Sequence, residues 1–145
     1  MSLARIATAS ALLASVACAT PSRPGDQGYE YNVTGSYSGR FMIDDQIFEA
    51  TLQMRTTGGG RVSGGFRVVA PVEIDGSVDG AVADDLFRIT VTYRSANGCN
   101  DRIEGILTVE PGGGTIDGPI TVTDCGEPIA GRMSFRRTDR LRPNR

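Results

Sequence analysis

One short pattern recurs along the chain: an apolar residue, any residue, glycine, any residue and a second apolar residue. It begins at Val33, Val62, Ile74, Val78, Ile103, Ile116 and Ile129. Because residues i, i+2 and i+4 of a β-strand share one face, each copy directs two apolar residues and a glycine to the same side. Glycine on an inner face lets neighbouring strands bend and pass close to one another. The pattern therefore predicts a sheet that curves around a core.

Alternating apolar and polar residues extend this pattern into eight predicted strands. They span residues 33–43, 48–54, 62–68, 72–82, 86–93, 103–109, 116–122 and 129–135. Typical turn sequences separate several of these strands: Asp44-Asp45, Thr57-Gly58-Gly59-Gly60, Asp84-Asp85 and Asn97-Gly98. Eight antiparallel strands with one apolar face favour a single closed up-and-down meander barrel, because closure removes exposed edges.

Two other all-β architectures remain open. A two-sheet β-sandwich needs the same alternation. Gly105, Gly118 and Gly131 are spaced thirteen residues apart, which would suit a parallel solenoid. The predicted strands at 48–54 and 86–93 lack the glycine and interrupt that period, so we expect the barrel.

Seven aromatic residues fall at inward positions of the predicted strands. They are Tyr37, Phe41, Phe48, Phe66, Phe87, Tyr93 and Phe135. The simpler interpretation is a packed core. The alternative is the wall of a site for a small apolar ligand, with space beside the inner-face glycines. A sizeable internal cavity would favour the ligand site, and its absence would favour the packed core.

The first residues have the form of an export signal. One arginine, Arg5, precedes an apolar run over residues 6–16, which is too short to span a bilayer as a helix. Val16-Ala17-Cys18 resembles the lipobox of bacterial lipoproteins, although Ser15 stands where that family usually has an aliphatic residue. The resemblance implies that Cys18 is lipidated and becomes the mature N-terminus. Ordinary secretory cleavage after Ala17-Cys18-Ala19 is the alternative.

This signal divides the chain into four predicted parts. Residues 1–17 are the signal segment, and 18–31 are the lipidated cysteine and a flexible linker rich in proline and glycine. Residues 32–137 form the barrel domain, and 138–145 form a basic C-terminal tail. The expected location is the bacterial cell envelope, lipid-anchored and facing the periplasm or the exterior, or secretion in soluble form.

Two cysteines remain outside the signal, Cys99 and Cys125, and an even pair in an oxidising compartment predicts a disulfide. If the strands at 103–109 and 116–122 form a hairpin with Gly105 opposite Gly118, Cys99 lies opposite the residue before Cys125. The two sulfur atoms would then be within bonding reach at the strand ends.

The predicted barrel resembles the small eight-stranded barrels of the avidin and lipocalin families. Gly35-Ser36-Tyr37 is similar to the Gly-x-Trp near their first strand, with tyrosine in place of tryptophan. The inward positions lack the polar cluster with which avidins bind biotin, so biotin binding is not expected. Periplasmic protease inhibitors and lysozyme-inhibiting lipoproteins resemble the predicted protein in size, in export and in having a barrel. The likeness is one of general class, because their characteristic residues are not matched here.

The composition argues against an enzyme. The chain has no histidine, and arginine supplies all fifteen basic residues, so no imidazole or lysine amine serves as a general base. We expect no catalytic residues, no metal site and no cofactor. The sequence predicts a non-catalytic binding or interaction module, tethered to a membrane by its lipid. Its expected partner is an envelope protein, a glycan or a small apolar ligand rather than nucleic acid; the oligomeric state is not predicted.

Overall fold

The computed structural model describes residues 22–139, which contain eight strands in one closed barrel. The strands are β1 Gly35–Ile43, β2 Gln46–Thr56, β3 Arg61–Ala70, β4 Ile74–Ala83, β5 Leu86–Arg94, β6 Asn100–Val109, β7 Thr115–Asp124 and β8 Glu127–Arg137. Each strand pairs antiparallel with the next in sequence, and β1 pairs with β8 to close the barrel. The predicted up-and-down barrel is confirmed, and the sandwich and solenoid alternatives are excluded.

Two predicted turns are confirmed, whereas the predicted start of the fourth strand is not. Asp44-Asp45 and Asp84-Asp85 each form the two-residue turn of a hairpin. The prediction that the fourth strand begins at Val72 is wrong. β4 begins at Ile74, and Val72 is half exposed in the loop after Pro71, because proline lacks the N–H group that continues a ladder of hydrogen bonds.

The inner-face glycines mark places where one strand lies against the backbone of the next. A Cβ atom at these positions would clash with main-chain atoms of the neighbouring strand: Gly39, Gly64, Gly76, Gly80, Gly105, Gly118 and Gly131. At Gly105, for example, such an atom would lie 2.6 Å from the carbonyl oxygen of Pro119. All but Gly39 belong to the repeated pattern. Six of the seven copies of the pattern therefore provide the glycine that close approach between strands requires.

The predicted register of the β6–β7 hairpin is wrong by two residues. Gly105 pairs with Ile120 rather than with Gly118, and Arg102 pairs with Thr123. The barrel places glycine opposite a bulky side chain, as also seen for Gly39 opposite Phe135. Two opposed glycines would leave an unfilled space inside the barrel, whereas this arrangement fills it.

One end of the barrel is covered by the segment that precedes β1. The backbone N–H of Ser22 donates to Asp84 Oδ1 at 2.8 Å, and the backbone N–H of Asp84 donates back to the Ser22 carbonyl. The hydroxyl of Tyr29 donates to the Asp84 carbonyl, and the N–H of Gly112 donates to the Glu30 carbonyl. Residues 22–31, the described part of the predicted linker, therefore pack against this end.

The same end is sealed by a cluster around Tyr37. The Tyr37 hydroxyl donates to the Gly113 carbonyl at 2.7 Å and accepts from the Arg137 guanidinium, which also lies over the tyrosine ring. Arg137 donates in addition to the Asn32 carbonyl, and Val33 is fully buried beside this cluster in the core. The first strand, the last strand and the covering segment are thus held together at one end.

Among residues 22–139, no helix is long and apolar enough to cross a membrane.

Candidate functional site

The opposite end of the barrel contains a cavity of about 620 Å³. This end carries the β1–β2, β3–β4, β5–β6 and β7–β8 connections, and the cavity opens between them. The barrel is therefore packed at the end covered by residues 22–34 and hollow at the other. A cavity of this volume falls within the range of about 300–1,000 Å³ that is usual for small-molecule sites.

The wall of the cavity is mainly apolar. Its apolar and aromatic lining residues are Phe41, Ile43, Phe48, Phe66, Val68, Ile74, Tyr93, Val122 and Ile129. Phe41 and Phe48 are cross-strand partners whose rings stack with centroids 4.8 Å apart, and Phe66 lies 5.9 Å from Phe41. These rings present aromatic faces and edges to whatever occupies the cavity.

The polar part of the lining is acidic. It consists of Asp44, Asp45, Gln46, Ser95, Asp101 and Asp124. Asp44 and Asp45 lie in the β1–β2 turn, and Asp124 ends β7. Within the described part of the chain, no arginine lines this cavity, so its electrostatic character is negative.

Asp101 is the buried member of this acidic set. Its side chain belongs to a residue only 2% exposed, and its Oδ1 accepts a hydrogen bond of 2.8 Å from the backbone N–H of Cys125. Its Oδ2 is one of two buried side-chain polar atoms in residues 22–139 that have no hydrogen-bond partner. Asp101 is thus a residue of the cavity wall whose buried carboxylate has unused hydrogen-bonding capacity.

Tyr93 adds a hydroxyl to the same wall. Burial and the charges of Asp101 and Asp124 raise the pKa of Tyr93 to about 12. Removing its proton would place a third negative charge beside two carboxylates in a partly desolvated site. Tyr93 therefore remains a neutral hydrogen-bond donor far above neutral pH.

A disulfide between Cys99 and Cys125 clamps this end of the barrel and confirms the predicted bond. Their Cα atoms lie 5.3 Å apart, and the bond joins the β5–β6 loop to the β7–β8 turn. Cys125 adopts a positive φ of 46° in that turn, and its N–H holds Asp101. The clamp therefore also positions the buried carboxylate.

The structure divides the seven predicted interior aromatics into two groups. Phe41, Phe48, Phe66 and Tyr93 line the cavity. The other three, Tyr37, Phe87 and Phe135, are fully buried in the packed part of the barrel. The prediction of Cys18 as a lipidation site falls outside the described residues, as does most of the predicted tail.

Sequence reasoning missed Asp101. The predicted sixth strand began at Ile103, whereas β6 begins at Asn100. Asp101 is two residues before Ile103 and so shares its inward face. Extending the alternation by two residues would have placed a carboxylate on the inner face of the barrel.

Neither the known protein-family models nor the curated protein sequences match this chain. Among solved structures, the redesigned β-barrel mFAP1 bound to DFHBI is similar at 16% identity and a TM-score of 0.62, covering 72% of this chain and 94% of that chain. A de novo designed fluorescence-activating β-barrel is similar at 19% identity and a TM-score of 0.56, covering 74% of this chain and 94% of that chain. At these identities, the likeness extends to the fold alone.

Proposed function

We propose that this protein is a non-catalytic carrier that binds a small, largely apolar ligand in its barrel cavity. The observation that carries the proposal is the cavity of about 620 Å³, walled by apolar and aromatic side chains and open at one end. A packed interior would have left only the outer faces and loops of the barrel for binding. A barrel of the same fold, mFAP1, is bound to DFHBI, which supports the view that such a barrel accommodates a small ligand.

Filling the cavity is expected to weaken the binding of an apolar probe. Ile74 is half buried in the cavity wall, so Ile74→Trp places an indole ring in the space that a ligand would occupy. We expect wild-type protein to enhance the fluorescence of the neutral probe N-phenyl-1-naphthylamine with one site per chain. Ile74→Trp should weaken that binding by about tenfold or more, the equivalent of about 1.4 kcal/mol.

The matched control makes the same substitution on the outside of the barrel. Ile106 is 47% exposed on β6 and is not part of the cavity lining. Ile106→Trp should bind the probe as the wild type does, with circular dichroism showing that both variants keep the barrel. Absence of probe binding to the wild type, or an equal loss in both variants, would count against the carrier.

We further propose that the carrier is exported to the cell envelope and anchored there through a lipid on Cys18. Support comes from the lipobox-like Val16-Ala17-Cys18 and from the Cys99–Cys125 disulfide, since disulfides persist in oxidising compartments. One acyl chain binds membranes only marginally, so stable anchoring takes more than one. The anchor would keep the carrier at the membrane surface.

Metabolic labelling tests this anchor. Labelled palmitate should enter the wild-type chain and should not enter Cys18→Ala, because the acyl groups are attached at that cysteine. Cys99→Ala serves as the matched control and should keep its label. Equal labelling of Cys18→Ala, or export of an unlabelled wild-type chain, would favour ordinary secretion instead.

A further inference from the structure

The acidic residues of the cavity lie in turns and strand ends at the open end of the barrel, and one of them is buried. Asp44 and Asp45 lie at the mouth, Asp124 ends β7 beside the disulfide, and Asp101 is buried. Among the residues that the structure describes, the lining supplies no positive charge to balance them. Charge of one sign in a cleft with apolar walls raises the local concentration of counter-ions.

Among these acidic residues, Asp101 is the one whose carboxylate could recognise a specific donor group of a ligand. A buried carboxylate oxygen without a hydrogen-bond partner is energetically unfavourable, and Asp101 Oδ2 is such an atom. Asp101 Oδ1 already accepts from the Cys125 N–H, so Oδ2, a buried oxygen of a residue in the cavity wall, is the one that still lacks a donor. A charged donor satisfies a carboxylate better than a neutral one.

We propose that the ligand of this cavity is an amphipathic organic cation, with its apolar body on the stacked rings of Phe41 and Phe48 and its ammonium group at Asp101. This inference rests on the proposed carrier function and adds the chemical class of the ligand. Both halves of such a molecule have counterparts in one cavity: aromatic faces, which also attract cations, and a buried carboxylate.

A bare metal ion is a poorer match for the same residues. Cys99, Asp101 and Cys125 lie close enough together to hold one. However, the two sulfur atoms are bonded to each other, and cysteine binds a metal through its free thiolate. One carboxylate then remains, which is too few ligands for a structural metal site. An organic cation needs only the one carboxylate and uses the aromatic wall as well.

A series of naphthalene compounds tests the charge preference with one apolar body. The probes are 2-(2-naphthyl)ethylamine, which is cationic at neutral pH, 2-(2-naphthyl)ethanol, which is neutral, and 2-naphthylacetate, which is anionic. Calorimetric titration of the wild type should give the order cation, neutral, anion, with the cation about tenfold tighter than the neutral compound. Equal affinity for the cation and the neutral compound would overturn the proposal and leave the apolar carrier intact. Failure of all three to bind would instead contradict the proposed function itself.

Asp101→Asn locates the effect, since it keeps the side-chain shape and an acceptor for the Cys125 N–H. It should weaken binding of the naphthylethylamine by about tenfold and change binding of the neutral alcohol by less than about twofold. Asp79→Asn is the charge-matched control, because Asp79 is exposed on the outer face of β4; it should preserve the selectivity. An equal loss for both compounds in Asp101→Asn, or the same change in Asp79→Asn, would contradict recognition at Asp101. If Asp101→Asn does not fold, the selectivity of the wild type still decides the proposal.

Discussion

Replacing Gly64 with alanine is expected to destabilise the barrel by about 2–3 kcal/mol, a value typical of an overpacked site. A Cβ atom at Gly64 would overlap the carbonyl oxygen of Gln53 and would lie 3.0 Å from Met54 Cα. These are backbone atoms of β2, so no side-chain rotation relieves the clash. The β2–β3 pair must move apart, which strains hydrogen bonds on both sides of the substitution.

Gly65 supplies a control that differs by one position in the same strand. A Cβ atom there would meet no atom within 4 Å, and neither Gly64 nor Gly65 has a positive φ. Gly65→Ala should therefore stabilise the protein by about 0.5 kcal/mol, because alanine reduces the conformational entropy of the unfolded chain. Urea denaturation measures both effects as shifts of the midpoint in opposite directions, with the slope unchanged.

Equal changes in the two alanine variants would mean that glycine is needed along β3 for its flexibility alone. Opposite changes would mean that the repeated glycine is needed because the next strand occupies the space of a side chain. Gly39 extends the test to the seam that closes the barrel, where a Cβ atom would overlap the Ser134 carbonyl of β8. Gly39→Ala should therefore behave like Gly64→Ala.

The alternating pattern and the short turns predicted eight antiparallel strands and favoured the barrel that the structure shows. Each inward set of residues needs an apolar interior, and short turns such as Asp44-Asp45 join only antiparallel neighbours. The cysteine pair could also be predicted, because Cys99 and Cys125 flank two strands expected to form one hairpin. These features depend on local spacing and on which face is apolar, both of which are written in the sequence.

The register of β6 and β7 could not be obtained in the same way. A shift of two residues leaves every side chain on the same face, so the alternation cannot distinguish Gly105 opposite Gly118 from Gly105 opposite Ile120. The choice depends on the stagger that closes all eight strands at once. It is thus a property of the whole barrel and not of the hairpin.

The sequence pattern did not predict the location of the cavity either. Phe41 and Phe87 both appear as inward aromatics, yet Phe41 lines the cavity and Phe87 is packed in the core. Their difference comes from what covers each end of the barrel. The segment around Val33 fills one end, whereas the other end carries a disulfide and acidic turns. No periodicity within a strand encodes that asymmetry.

Removing the disulfide is expected to have the largest effect on stability of the changes considered. Cys99 and Cys125 are separated by 26 residues, and closing a loop of that length stabilises a folded protein by about 3.5 kcal/mol on the chain-entropy estimate. Replacing both cysteines with alanine should therefore lower the melting temperature by about 15 °C, as measured by differential scanning calorimetry.

Reduction of the wild type provides the matching control, because it breaks the same bond without substituting either cysteine. Dithiothreitol should lower the melting temperature of the wild type to near that of the double variant and leave the double variant unchanged.

The bond also fixes the Cys125 N–H that holds Asp101, so its reduction should also weaken ligand binding in the cavity. We expect the reduced protein at 25 °C to bind 2-(2-naphthyl)ethylamine more weakly while keeping its affinity for the neutral alcohol. A reduced protein with an unchanged melting temperature would show that the barrel is closed by its strand pairing alone, and that the disulfide does not stabilise this end.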